Sequence, residues 1–240
     1  MHSQAVQTTQ HSMLIKKNFS YLWGLSLFAA ISLLLATPSF ALDHSHEAFT
    51  TILKNQVKDG RVNYDALKAN PAPLKSYLDT LAAVQKPEFS GWNDQQQMVF
   101  LSNLYNAATL QLIVDNYPVK SIKKIGSFFK GPWKQEVVRL FGDKTTLDNV
   151  EHGILRKDYD EPRLHFALVC AAASCPPLRS EAYDAARFNE QLDDQGNIFL
   201  SNSVKNRVAD GGKTLYLSKI FDWYGADFEK GSNTLVGSLK

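Results

Sequence analysis

Between Leu147 and Leu178 the chain reads LDNVEHGILRKDYDEPRLHFALVCAAASCPPL. That run holds Cys170 and Cys175, the only two cysteines among the 240 residues, together with His152, His165 and Glu151. A thiol becomes a good nucleophile near neutral pH when a base takes its proton, and the base works better when a third group orients it. These residue types suit acyl transfer by a cysteine, with His152 as base and Glu151 as its acidic partner. An even number of cysteines in an oxidising compartment equally suits a Cys170–Cys175 disulfide, and both readings stand on the residues alone.

A helix predicted from Leu147 to Lys157, capped by Thr146, positions the acid and the base. At 100° per residue Leu147, Val150 and Ile154 form its core stripe, and Glu151 falls at or inside that stripe. A carboxylate there is costly unless paired or hydrogen-bonded, and Arg156, Lys157 or Arg163 are its ordinary partners. His152 lies at the rim. Adjacent helical residues do not face each other, so Glu151 orienting some other group stays open. A strand predicted from Pro162 to Cys170, continuously apolar at its end, would be buried on both faces and would deliver Cys170 to a sheet mouth.

On such a strand His165 shares a face with Ala167 and Val169, away from Cys170, so it reads as a satisfied core histidine or a pocket residue. The small residues Ala171, Ala172, Ala173 and Ser174 leave room for a substrate, and their amides could hold an oxyanion. Cys175, before Pro176-Pro177, either bridges to Cys170 or lines the same pocket. Asn103 and Asn106, one turn apart on the longest predicted helix, either brace loops or present donors to a substrate. A zinc set of His152, His165, Cys170 and Cys175 matches no familiar ligand spacing, so no metal is expected. The four residues between the cysteines exclude a thioredoxin-type motif.

The surrounding elements are mostly helical in the first half. Helices are predicted at Asp43–Asn55, Asp65–Asn70, Pro73–Val84 and Asp94–Asn116, with a short extended piece at Arg61–Tyr64 and a loop at Pro87–Trp92. Apolar Leu101, Leu104, Tyr105, Ala108 and Leu112 give the long helix its stripe, and Pro118 ends it. Later come a strand at Glu136–Phe141, a helix at Ala185–Asn202 and a strand at Leu215–Leu217. Ile220, Phe221, Trp223, Tyr224 and Phe228 form an aromatic knot that reads as core. The expected fold is one α+β domain with a helix-rich N-terminal half and a small sheet in the C-terminal half.

Residues 1–41 read as a signal peptide: Lys16 and Lys17, an apolar run from Tyr21 to Ala36, then a small-x-small pattern ending at Ala41. Cleavage there would leave residues 42–240 as a single globular domain, periplasmic or secreted; an uncleaved segment would instead anchor the protein in a membrane. Losing two lysines and no acid from 26 basic and 24 acidic residues leaves the remainder charge-neutral. A neutral chain has no electrostatic footprint for nucleic acid. No nucleotide-binding glycine pattern occurs, and no cofactor is expected.

Asn103-Leu104-Tyr105-Asn106, Asn116 to Ile122, Leu147 to Arg156, His165 to Leu178 and Leu215 to Phe228, in that order, resemble the family catalogued as domain of unknown function five-four-seven. The resemblance covers about Asn63 to Phe228. It implies a distant likeness to papain-like peptidases and transglutaminases, and a Glu-His-Cys constellation of Glu151, His152 and Cys170. Plant relatives tend to have serine where Cys175 stands, which points to Cys170 as the nucleophile. In the papain pattern the cysteine opens a helix and the histidine follows it. Here His152 precedes Cys170, so kinship implies a permuted papain-like core.

Two functions follow. One is an exported thiol enzyme that hydrolyses or exchanges an amide, peptide or thioester of a small molecule or peptide. The other is a non-catalytic binding or scaffold module closed by a Cys170–Cys175 disulfide.

Overall fold

The computed structural model describes residues 41–127, 129–172 and 175–230; the expected signal segment, apart from Ala41, lies outside them. Among the described residues no helix is long and apolar enough to cross a membrane.

The centre of the α+β fold is helix α5, Asp94–Asp115. Asn93 opens it with a capping box: its side chain accepts from the Gln96 amide, and the Gln96 side chain accepts from the Asn93 amide. Every residue from Val99 to Leu110 is buried, polar Ser102, Asn103, Asn106 and Thr109 included. The helix is therefore covered on all sides, wider than the single stripe its sequence suggests. Around it pack α2 (Tyr64–Ala69) and α3 (Ala72–Ala83), with α1 (Glu47–Gln56) behind α3. The expected loop after α3 contains a short helix, α4 (Lys86–Ser90); Pro87 sits in its first turn, where its missing amide costs nothing.

The strands form three separate antiparallel ribbons rather than one C-terminal sheet. They pair β1 (Val57–Lys58) with β2 (Arg61–Val62), β3 (Val138–Leu140) with β4 (Asp143–Thr145), and β5 (Arg207–Ala209) with β6 (Thr214–Tyr216). Each strand has two or three residues. Such ribbons depend on the helices they lie against for stability.

The chain after β4 departs most from its sequence pattern. Asn149–Leu155 is a π-helix, continued by the short α6, Arg156–Asp158. Thr146 Oγ1 accepts from the Asn149 amide at 3.0 Å, so the expected cap is present. A Cβ at Gly153 would meet Asn149 Oδ1, so the exposed Asn149 side chain would have to shift. The predicted strand at Pro162–Cys170 is instead a helical turn, α7 (Leu164–Ala167), followed by irregular chain. Leu164 to Leu168 are buried, Val169 and Cys170 only half-buried, and among the described residues no partner strand lies beside them. Asn106 does that work, donating to the Ala167 carbonyl and accepting from the Val169 amide. Helix α8, Phe188–Leu200, packs on α7. Phe166, Phe199, Ile220, Phe221 and Phe228 form a second small core under α9 (Lys219–Trp223) and α10 (Gly225–Glu229).

Candidate functional site

Glu151, His152 and Cys170 line one cavity of about 300 Å3. The π-helix supplies the acid and the imidazole, and the irregular chain after α7 supplies the sulfur. Tyr105 of α5, Trp133, Trp223 and Tyr224 form most of the remaining wall, with Asp148 and Lys123. A π-turn inside a helix often marks a functional site, because the extra residue per turn re-aims its side chains.

Glu151 is buried, only 8 % exposed. Its partner is not one of the nearby cations but Tyr224, whose hydroxyl donates to Glu151 Oε1 at 2.7 Å. Tyr105 lines the same cavity as this carboxylate. Burial first, and then the Glu151 charge, push both phenols above their ordinary pKa, so they stay protonated donors. His152 Nε2 lies 3.9 Å from Glu151 Oε1 and 4.0 Å from Asp148 Oδ1, beyond hydrogen-bond reach of either. His152 Nδ1 faces Arg156 at 3.1 Å. A guanidinium only donates, so Nδ1 accepts and a neutral ring carries its proton on Nε2.

Behind the cavity wall lies an acid–imidazole pair. His165, on α7, donates through Nε2 to Asp227 Oδ2 at 2.8 Å, and its ring stacks on Tyr224 with centroids 3.8 Å apart. The same carboxylate oxygen accepts from Arg156 Nε at 2.6 Å. Burial pushes the His165 imidazole below its ordinary value despite the Asp227 bond. Burial pushes the Asp227 carboxyl up, but the bonds from Arg156 and His165 outweigh it and hold the carboxyl low. Arg156 also lies against the Tyr224 ring, 4.9 Å from its centroid. One network thus runs from His165 through Asp227 and Arg156 to His152, with Tyr224 clamped between it and Glu151.

Cys170 is bonded to Cys175. The two bonded cysteines line different cavities. Cys170 lines the aromatic one and Cys175 a second, with Ala172 touching both. Ala171, directly after Cys170, sits in the left-handed region at φ 55°. That conformation costs an L-residue roughly 1–2 kcal/mol and persists where the surroundings impose it.

The remaining predicted residues divide clearly. Asn103 spends both ends of its amide on the Tyr183 backbone, at 2.8 and 3.0 Å. Asn106 spends both of its ends on Ala167 and Val169, so it shapes the approach to Cys170, and it also lines the second cavity. Neither Asn103 nor His165 lines the aromatic cavity. The zinc reading of His152, His165, Cys170 and Cys175 has its two sulfurs bonded to each other, and among the described residues no cluster of three or more His, Cys, Asp or Glu could hold a metal ion.

Sequence reasoning missed Tyr105, Arg156 as the partner of His152, and Asp227. It also assigned the whole Ile220–Phe228 knot to the core. Ile220, Phe221 and Phe228 are buried there, but Trp223 is half exposed and Tyr224 forms the cavity wall. The available signal was the polar tip on Tyr224, which a buried tyrosine must satisfy.

Residues 89–200 match the model of the family described as "Protein of unknown function, DUF547". The match supports the resemblance drawn from the motifs and spans α5 through α8 with all seven candidate residues. Trp223, Tyr224 and Asp227 lie beyond it. No curated protein and no solved structure matches the chain.

Proposed function

We propose that this is an exported thiol enzyme for acyl transfer, acting on an amide, peptide or thioester, with Cys170 as nucleophile and the disulfide as its resting form. The observation that carries this reading is the meeting of Cys170, His152 and Glu151 on one cavity wall, the acid buried and held by the Tyr224 phenol. An external thiol or dithiol would first reduce the bridge, leaving two cysteine thiols and an oxidised disulfide of the reductant. Cys170 would then pass its proton to His152, its sulfur would bond the acyl carbon, and the leaving amine or thiolate would take the proton from His152. Water or a second nucleophile would release the acyl group.

The geometry adds one requirement. For Nε2 of His152 to accept the thiol proton, the ring proton must sit on Nδ1, so Arg156 must release that atom and keep Asp227. Glu151 acts here as the group that fixes Tyr224, the face against which this rearrangement takes place. The permuted papain-like core and the periplasmic or secreted location rest on the family resemblance and on the signal-like N-terminus.

The disulfide itself favours a second reading, a non-catalytic binding or scaffold module stapled at Cys170–Cys175. The two readings separate after reduction. Iodoacetamide labelling is followed against pH by mass spectrometry, with Cys170 and Cys175 read separately. The enzyme requires Cys170 to label well below the ordinary thiol pKa of about 8.5, and His152→Ala to abolish that advantage. Ordinary thiol behaviour at Cys170 in both proteins would sink the enzyme and leave the module.

A further inference from the structure

The second cavity, about 550 Å3, adjoins the aromatic one at Ala172 and is lined by Cys175. It has two cations in its wall, Arg61 and Lys205, and no acidic residue. Neither cation has an ion pair among the described residues. Arg139, Arg156, Arg163, Arg179 and Arg187 are all ion-paired, and Arg207 lies over the Tyr216 ring. Arg61 stands apart from every other described arginine in having no such partner.

Lys205 is the more telling of the two. Its ammonium is half-buried, donates to the Cys175 carbonyl and lies 5.4 Å from the centroid of the Phe199 ring. Burial pushes it below its ordinary pKa with no carboxylate to offset the cost. A charge drawn out of water without a counter-charge breaks a local rule of stable folds, and such breaches concentrate where a ligand supplies the missing partner. The wall also carries apolar Val62, Leu110, Val169 and Leu178, beside Asn106 and Thr109, whose side chains bond backbone groups. A concave apolar site with a few convergent polar groups is the ordinary form of a small-molecule pocket.

We infer that this cavity binds a small amphipathic organic anion, its oxyanion head held by Lys205 and Arg61 and its apolar body against Val62, Leu110 and Leu178. The inference does not rest on catalysis by Cys170. It is tested on the disulfide-bonded full chain, in which that sulfur cannot act. Hexanoate, hexyl phosphate and hexylammonium are titrated by calorimetry at low salt, and the site is mapped by amide chemical shifts at Val62 and Val169, which line this cavity and not the aromatic one.

Either anion is expected to bind at millimolar concentration or below, with the preferred head distinguishing a carboxylate from a phosphate ligand, and hexylammonium is expected not to bind. Lys205→Met keeps the apolar stem over Phe199 and should weaken the anion about tenfold to a hundredfold, the worth of a charge-assisted hydrogen bond. Arg61→Gln removes a side chain that bonds nothing else, so it leaves the fold intact and should weaken binding several-fold. No anion binding at millimolar concentration, equal binding of hexylammonium, shifts confined to residues outside this cavity, or unchanged affinity in Arg61→Gln would each overturn the inference.

Discussion

Replacing Asp227 with asparagine tests the network that holds the aromatic cavity together. Asp227 Oδ2 accepts from Arg156 Nε at 2.6 Å and from His165 Nε2 at 2.8 Å, and its side chain is 15 % exposed. Each hydrogen bond to a charged group is worth roughly 1.5–3 kcal/mol when both partners are out of water. Arg156 is 31 % exposed and can recover part of its loss from solvent, and asparagine keeps one acceptor oxygen. The expected cost is therefore about 2 kcal/mol rather than the full sum. For a domain of this size that lowers Tm by about 4–8 °C.

The assay is thermal unfolding of Asp227→Asn and wild type at neutral pH, repeated in high salt, where a largely buried network should lose little. The sign with pH follows from the depressed carboxyl. Its contribution is complete above the unfolded carboxylate pKa of about 3.9 and is lost as pH falls through the lower folded value. The two proteins should therefore converge only below that folded value. A Tm within a degree of wild type at neutral pH, or a difference that high salt erases, would refute the reasoning.

Reducing the Cys170–Cys175 bridge opens a six-residue loop. The chain-entropy cost is about 2 kcal/mol, so Tm should fall by roughly 4–8 °C in a scan with reductant, and native protein kept free of reductant should titrate no free thiol. His46 is buried, its Nδ1 bonded to the Tyr77 hydroxyl, and burial pushes its pKa down to about 4. Its neutral form stabilises fully above the unfolded value of about 6.5, and about 3 kcal/mol is lost as pH falls through about 4. His46→Asn, which tolerates the left-handed backbone at φ 51°, should flatten that limb of the curve of stability against pH. An unchanged acid limb would show that other groups dominate it.

The run that gathers the cysteines, His152 and Glu151 was legible because residue type and spacing stand in the sequence directly. Cys170, His152 and Glu151 share a wall, and a carboxylate placed in an apolar stripe did demand a partner. The partner was not legible. Nearby arginines in sequence looked sufficient, yet Arg156 turns to Asp227 and His152, while a tyrosine 73 residues away satisfies Glu151.

Periodicity found the long helix, its neighbours and its ends, because burial of an apolar stripe and capping are local matters. It failed at α7. Continuous burial from Leu164 to Leu168 reads equally as strand or helix, and the deciding bonds come from Asn106 on another element. The π-turn that carries Glu151 and His152 likewise departs from the fixed angle per residue on which the stripe argument rests.

The sequence by itself determined the helical scaffold, the α+β class and the stretch in which chemistry is possible, since hydrophobic period and residue type act over a few positions. Only the tertiary structure decided which donor meets which acceptor, that the thiols meet each other, and that two unpaired cations share a cavity. Those choices belong to side chains brought together from distant parts of the chain, where desolvation rather than spacing sets the cost.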